Sequence, residues 1–167
     1  PSHRRFGARH HVKAFLSKEV FDAVWYLRDC EDAFKDALTS KIEYSGFARH
    51  EMLEQLGEAL YIVMRGVAAR GGAIFTPGGL IGADMIVTSK ALRDVRPARA
   101  LTYLEVALVS RSALEETLLN FPISEREVRF AANKMAMQRA VTMIASQVSA
   151  MSDVRRGNRR AADVTQY

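Results

Sequence analysis

The sequence has little cysteine, little proline and no long hydrophobic run. Of its 167 residues, one is cysteine and four are proline. The single cysteine, Cys30, excludes an internal disulfide framework and a cysteine-based zinc site, and it fits a reducing compartment. The best apolar run, residues 59–64, ends at Arg65, far short of the roughly 18 residues that a membrane-spanning helix needs. The basic residues near the start are not followed by an apolar block, so no secretory signal is predicted.

The composition is that of a globular domain. Hydrophobic residues make up 49% of the chain and charged residues 26%, which excludes a disordered chain. The net charge is +5, but residues 1–13 contain four basic residues and no acidic one, and residues 154–167 contain four against one. A nucleic-acid-binding domain would carry its basic stripe on the folded body, so we expect no nucleic-acid partner. The two basic arms are expected to be solvated or to contact acidic lipid.

Hydrophobic spacing divides the chain into helical, strand and helical zones. Apolar residues recur at helical spacing over residues 12–24 and 31–42, which predicts two helices. Residues 44–110 hold eight of the ten glycines and several short β-prone runs, which predicts a small antiparallel roll. The predicted strands are residues 59–64, 73–75, 80–81, 100–103 and 106–109, and a short helical turn is predicted at residues 83–87.

Two further helices are predicted after the roll. Ser110 or Ser112 is a suitable cap for the first, which ends at Phe121 and Pro122. Ser124 and Glu127 have the spacing of a capping box and predict the start of a long helix over about residues 125–151. Its methionines, Met135, Met137 and Met143, form either an adaptable binding surface or, as we favour, ordinary core.

These patterns predict an α+β fold. Its centre is an antiparallel β-roll, jelly-roll-like, with flanking amino-terminal helices, a short internal helix and two carboxy-terminal helices. We divide the chain into a helical prelude (residues 1–43), the β-roll (residues 44–110), the closing helices (residues 111–151) and a basic tail (residues 152–167). Because the sequence begins at Pro1, we expect it to be a piece of a longer protein.

The sequence contains no recognisable catalytic motif. Gly-x-Gly-x-x-Gly, Walker-type and Gly-x-Ser-x-Gly patterns are all missing. His10 and His11 lack a third ligand at a sensible spacing, so no metal site is predicted. Cys30 precedes Glu31 and Asp32, which disfavour a reactive thiolate. We expect no enzyme activity, no metal and no cofactor.

Four stretches of the sequence resemble the cyclic-nucleotide-binding domain family, in the form found in ether-à-go-go, hyperpolarisation-activated and cyclic-nucleotide-gated cation channels. Gly57-Glu58 and the following Ala-Leu-Tyr-Ile-Val-Met-Arg-Gly (residues 59–66) are similar to a family turn and strand. Ile81-Gly82-Ala83-Asp84 stands where the family has Phe-Gly-Glu, the start of its phosphate-binding cassette. Residues 99–106, followed by Ser110, Leu114 and Phe121-Pro122, resemble the channel pattern of a strand, Ser-x-x-x-Leu and Tyr-Pro.

The resemblance implies a phosphate-binding cassette that includes Gly82, Ala83, Asp84 and Met85. A cyclic phosphate is a buried anion, so the site needs backbone N–H donors and a cation. The family glutamate that binds the ribose falls on Ala83, which has no side-chain acceptor, and Asp84 comes one residue late. Nucleotide binding is therefore predicted to be weakened at the ribose.

The cation of the family cassette is also replaced. The family pattern Arg-Ser/Thr-Ala falls on Asp94, Val95 and Arg96, which places a carboxylate where the phosphate needs a positive charge. Arg93 or Arg96 would replace that cation if this loop is shifted by one or two residues. Ether-à-go-go-type channels fill the pocket with a short strand, for which residues 152–167 are the candidate here, although a solvated tail is favoured. On the long helix, Met135, Gln138 and Arg139 are the predicted lid residues.

The resemblance implies a regulatory domain on the cytoplasmic face of an ion channel subunit, for example a potassium channel. Its partners would be the rest of the subunit and, in the complete protein, three further copies in a homotetramer. Cyclic AMP and cyclic GMP are predicted to bind weakly or not at all. The alternative is a working cyclic-nucleotide sensor in a channel, an exchanger or a kinase regulator. A DNA-binding relative is disfavoured, because only 16 residues follow Met151, too few for a helix-turn-helix. The transported ion stays open.

Overall fold

The structure is a computed structural model that describes the backbone of residues 21–54 and 56–164, and side chains up to residue 151. Three helices and seven strands are described: α1 (Asp32–Thr39), β1 (Glu43–Phe47), β2 (Ala59–Arg65), β3 (Ala68–Arg70), β4 (Ala73–Phe75), β5 (Leu80–Ile81), β6 (Ala98–Ala100), β7 (Leu104–Ser110), α2 (Arg111–Leu118) and α3 (Pro122–Val164). Two 3-10 turns, Ala83–Ile86 and Lys90–Leu92, lie between β5 and β6. Most of the helix predicted over residues 12–24 lies outside the described residues.

The strands form two antiparallel sheets. The first has the order β1-β7-β2-β5 and the second the order β4-β3-β6. In the first sheet Tyr61 of β2 is opposite Leu108 of β7 on one side and Ile81 of β5 on the other. The predicted α+β fold with an antiparallel β-roll is therefore confirmed.

β2 separates two hydrophobic cores, because its side chains alternate between the two faces of the sheet. Leu60 and Ile62 pack with α1, α2 and α3 in one core. Ala59, Tyr61 and Val63 pack inside the roll in the other. A strand with both faces covered carries a continuous apolar run, which is why the sequence signal at residues 59–64 is so clear.

The strand predictions succeed where glycine turns or apolar runs mark them. β4 and β5 have the predicted bounds, and the Gly71-Gly72 turn joins β3 to β4 with both residues at positive φ (56° and 85°). The strand predicted over residues 100–103 is wrong: β6 is Ala98–Ala100, and only its two buried alanines point inward. β1 and β3 were not predicted, because β1 is mostly exposed and β3 has only three residues.

The two closing helices begin differently. Ser110 caps α2, and its Oγ accepts from the amide of Ala113 at 3.2 Å, as predicted. The capping box at Ser124 is wrong, because α3 already begins at Pro122, a residue that is favourable in a first helical turn. Ser124 is instead fully buried; its Oγ accepts from the amide of Glu31 and donates to the Glu31 carboxylate, both at 3.1 Å.

α3 is longer than predicted and continues past residue 151 to Val164. The segment predicted as a basic tail is therefore helical over residues 152–164, and no pocket-filling strand forms there. Residues 165–167 lie outside the described residues. In the part of the chain that the structure describes, no helix is long and apolar enough to cross a membrane.

Candidate functional site

A pocket of about 240 Å³ lies between the roll, the first 3-10 turn and α3. Three arginines and two aspartates supply its charged groups, and small and apolar residues complete the wall. The lining residues are Arg70, Gly71, Ala73, Phe75, Leu80, Gly82, Ala83, Asp84, Asp94, Arg96, Met135 and Arg139.

Gly82 sets the position of the 3-10 turn at the pocket. Its φ of +82° is a left-handed conformation, and a Cβ there would lie 2.2 Å from the carbonyl oxygen of Ala59. The glycine is thus required by contact with β2, whether or not a ligand approaches it. Ala83 follows and presents only a methyl group to the pocket, while Met85 is fully buried in the helical core and does not line it.

Asp84 joins three parts of the site. The carboxylate is 3% exposed and accepts from Arg139 Nη1 of α3 at 2.6 Å and from the backbone amide of Asp94. The same Arg139 nitrogen also donates to the carbonyl of Leu92 at 2.7 Å. An ionised carboxylate that is buried without partners lowers the stability of the fold, so the hydrogen bonds of Asp84 favour the folded arrangement. Together with the bond from Arg139 to Leu92, they hold α3, the 3-10 turns and the following loop together.

Asp94 and its two arginines form the second charged group of the pocket. Arg96 donates from Nε to Oδ1 at 2.9 Å and from Nη2 to Oδ2 at 2.7 Å, a bidentate pair. The hydrogen bonds from Arg96, aided by the charge of Arg70, lower the pKa of Asp94 to about 2. Arg70 is 6% exposed and donates to the carbonyls of Asp94 and Arg96. Asp94 therefore stays ionised at neutral pH.

Two of the predicted cassette residues lie elsewhere. The Arg93 guanidinium is buried on the other side of the loop, where it donates to the carbonyl of Val87 at 2.7 Å and to the carboxylate of Glu58 at 2.7 Å. The side chain of Val95 is largely exposed beside Gly57. Of the predicted cassette residues, Gly82, Ala83, Asp84, Asp94 and Arg96 line the pocket, and Met85, Arg93 and Val95 do not.

The predicted lid residues divide in the same way. Met135 and Arg139 line the pocket from α3, whereas Gln138 is exposed and does not. Sequence reasoning missed the pocket wall formed by β3, β4 and β5, namely Arg70, Gly71, Ala73, Phe75 and Leu80, of which Arg70 is the charged residue. Arg70 is the last residue of β3, a three-residue strand without an apolar run. The only sequence signal near it is the Gly71-Gly72 pair, which predicts a turn but not a site residue. Within the described ranges, no group of three or more histidine, cysteine, aspartate or glutamate residues is arranged to hold a metal ion.

The fold and the pocket define a class: an antiparallel β-roll in which a long carboxy-terminal helix lies across a cavity. Two solved structures are similar to it. One is the regulatory domain of Toxoplasma gondii PKA with cAMP, 14% identical, with a TM-score of 0.55, covering 74% of this chain and 49% of that chain. The other is a predicted cyclic nucleotide-binding protein from Geobacter metallireducens GS-15, also 14% identical, with a TM-score of 0.56, covering 74% of this chain and 98% of that chain.

These comparisons concern the fold. No family model and no curated protein matches the sequence. The chain spans about half the length of the Toxoplasma gondii domain and nearly the whole of the Geobacter metallireducens protein. The chain therefore has the fold of cyclic-nucleotide-binding domains, as the resemblance in its sequence implied.

Proposed function

We propose that this chain is a regulatory, non-catalytic module of a cation channel subunit, on the cytoplasmic face of the membrane, whose pocket binds cyclic AMP and cyclic GMP weakly or not at all. The observation that carries the proposal is the pairing of the pocket arginines with the pocket's own acceptors. Arg139 is bound to Asp84, Arg96 is bound to Asp94, and Arg70 is bound to two carbonyls.

A cyclic phosphate would have to replace one of these acceptors. Separating Arg96 from Asp94 breaks two charge-assisted hydrogen bonds and leaves an ionised Asp94 beside the incoming anion. Each such bond contributes about 1.5–3 kcal/mol, and the remaining carboxylate repels the phosphate. Losing one of them alone lowers affinity roughly ten- to a hundredfold.

The pocket also lacks the ribose acceptor and is small. Ala83 occupies the position of the family glutamate and offers no side-chain oxygen. The volume of about 240 Å³ is below the roughly 300–1,000 Å³ of ordinary ligand pockets. Both features support weak binding independently of the charge pattern.

The proposed regulation is mechanical. α3 is anchored to the roll where Arg139 meets Asp84, and release of this contact would let the helix move relative to the 3-10 turns. If α3 has two positions on the roll, a change in their populations alters the force that the domain exerts on the rest of the channel subunit. The channel context is supported by the resemblance of residues 99–122 to the channel pattern, and in that context the partners are the remaining subunit and the other copies of a tetramer.

One observation favours a second function, a working nucleotide sensor. Arg96 lines the pocket with a side chain that is 63% exposed, so its guanidinium is within reach of an entering phosphate. If the chain is a sensor, Arg96→Glu should abolish nucleotide binding. Arg93 is buried outside the pocket, so Arg93→Glu would change binding only by destabilising the fold.

Isothermal titration calorimetry with cyclic AMP and cyclic GMP tests the proposal. We expect a Kd above about 1 mM for the wild-type chain, and at least tenfold tighter binding for Ala83→Glu combined with Asp94→Asn. The matched control is Ala83→Gln with Asp94→Asn, which lacks the carboxylate that accepts from the ribose. Micromolar binding by the wild-type chain that is lost in Arg96→Glu would contradict the proposal and establish the sensor.

A further inference from the structure

α3 carries a second apolar face that does not touch the roll. The face toward the roll contains Val128, Ala131 and Ala132, which are buried in the helical core. On the opposite side five large apolar side chains are exposed, by 60–73% of their surface. They are Met137, Val141, Ile144, Val148 and Met151, which together are called the α3 seam.

The spacing of the α3 seam is that of a coiled coil. Its members follow one another at intervals of four, three, four and three residues, so Val141 and Val148 take the a positions of a heptad and the other three take the d positions. Ile123 and Phe130 are exposed at earlier d positions, but the a positions beside them, Glu127 and Lys134, are charged, so the apolar seam begins at Met137. A row of apolar side chains with a period of 3.5 residues packs along the whole length of a second helix that has the same period. The row therefore indicates a helical partner.

The charges beside the seam favour a second copy of this chain as the partner. The e and g positions from residue 138 to residue 147 are Gln138, Ala140, Ala145 and Gln147, all uncharged. Two identical helices therefore meet along the seam without like charges opposite each other, and small alanines allow close approach. The β-branched valines at both a positions favour a two-stranded parallel coiled coil. A different helical partner would be selected by charged e and g positions, which this stretch does not have.

We propose that the α3 seam is a self-association surface through which copies of this chain pair by coiled-coil packing. The seam is about 20 Å long. Burying the five seam side chains in two copies removes roughly 1,100 Å² of apolar surface, just below the ~1,200–2,000 Å² that stable complexes bury. Pairing is thus weak in the free chain and strong only where copies are held together. This inference does not depend on the proposed function, because no seam residue lines the pocket.

Sedimentation equilibrium of the 167-residue chain over roughly a hundredfold range of concentration tests the proposal. The wild-type chain is expected to shift from monomer to a defined oligomer as concentration rises. Ile144→Asp is expected to weaken this association at least tenfold. Ser146→Asp is the matched control, because Ser146 lies at the same height on α3 but faces away from the seam, and we expect no change in association.

A wild-type chain that remains monomeric over the whole range would overturn the proposal, and so would an equal effect of the two variants. Circular dichroism checks that both variants keep the wild-type helix content and thermal transition. Because Ile144 is 60% exposed and lies beyond the part of α3 that packs on the roll, its replacement leaves the buried core intact. In a second measurement, oxidation of the full chain carrying Ile144→Cys should give more disulfide-linked dimer than the chain carrying Ser146→Cys. Equal yields would count against parallel pairing along the seam.

Discussion

At the scale of single residues, Gly82 shows how the roll itself dictates the geometry of the pocket. Both a positive φ and the nearby Ala59 carbonyl exclude a side chain there, whereas Gly72 has the same kind of φ (+85°) and a Cβ added to it would meet nothing within 4 Å. Substituting alanine at Gly72 thus measures the free-energy cost of the left-handed backbone alone. The same substitution at Gly82 adds the cost of steric overlap with Ala59.

We expect Gly72→Ala to lower the free energy of unfolding by about 1 kcal/mol, the cost of a left-handed alanine. Gly82→Ala should lower it by about 3 kcal/mol, because the overlap with the Ala59 carbonyl adds to that cost. Urea denaturation measures both values. Equal losses would show that β2 moves away freely and that the turn is not fixed by this contact.

The ionisation of Asp94 links the stability of the fold to pH. Its pKa is lowered in the folded chain to about 2 by Arg96 and Arg70, so folding favours the ionised form. The stabilisation is complete above the unfolded pKa of about 4 and is lost as the pH falls toward 2. Because 21% of the side chain is exposed, solvent screening reduces the effect to about 1–2 kcal/mol.

Asp94→Asn tests this linkage. At pH 6 the variant should unfold about 1–2 kcal/mol more easily than the wild-type chain. Near pH 2 the difference should shrink to a few tenths of a kcal/mol (~0.4), because Asp94 is then about half protonated in the folded wild-type chain and almost fully protonated in the unfolded one. Urea denaturation at a series of pH values provides the comparison. A difference that stays constant from pH 6 to pH 2 would show that the charge of Asp94 is not what stabilises the loop.

At the scale of elements, the apolar packing of α3 on the roll is supplemented by one ion pair with a buried carboxylate, Arg139 with Asp84. Arg139 is the charged residue of α3 that reaches Asp84, whose carboxylate is nearly inaccessible to solvent. Removing the guanidinium takes away a charged donor and leaves that carboxylate with the backbone amide of Asp94. The exposed pair between Arg129 and Glu125 on the same helix has no such burial and serves as a reference.

We expect Arg139→Met to lower the free energy of unfolding by about 2 kcal/mol, because a charged hydrogen bond to a buried group is lost. Arg129→Met should cost less than about 0.5 kcal/mol, as exposed ion pairs usually do. Hydrogen exchange should also become faster over residues 122–140 in the first variant only. Equal stability of the two variants would indicate that apolar packing alone holds α3 to the roll.

The elements also show which parts of the fold the sequence could predict. β2 and the turns around it were predictable, because an apolar run between glycines leaves few alternatives. β1 has one buried residue, Phe47, and no hydrophobic period, so its position depends on pairing with β7. The start of α3 was misplaced because Ser124, a good cap by type, hydrogen-bonds to Glu31, a partner distant in the sequence.

At the scale of the whole molecule, the three arginines of the pocket are each paired with acceptors of the chain itself. The sequence predicted Ala83 and Asp94 as departures from the family pattern, and both line the pocket. It could not predict Arg70, nor that Arg93 would be bound to Glu58 and Val87, because side-chain direction in these loops depends on tertiary contacts. Under the proposed function, regulation depends on the position of α3 and not on nucleotide.

The most direct measurement of this claim is an amide NMR titration of the chain with cyclic AMP. Gly82, Ala83 and Asp84 line the pocket, so their amides report its occupancy. We predict no saturable change in their shifts up to about 1 mM ligand, with the amide of Gly46 in β1 as the reference, because no residue of that strand lines the pocket. Saturable shifts confined to the pocket amides, with a micromolar midpoint, would contradict the account.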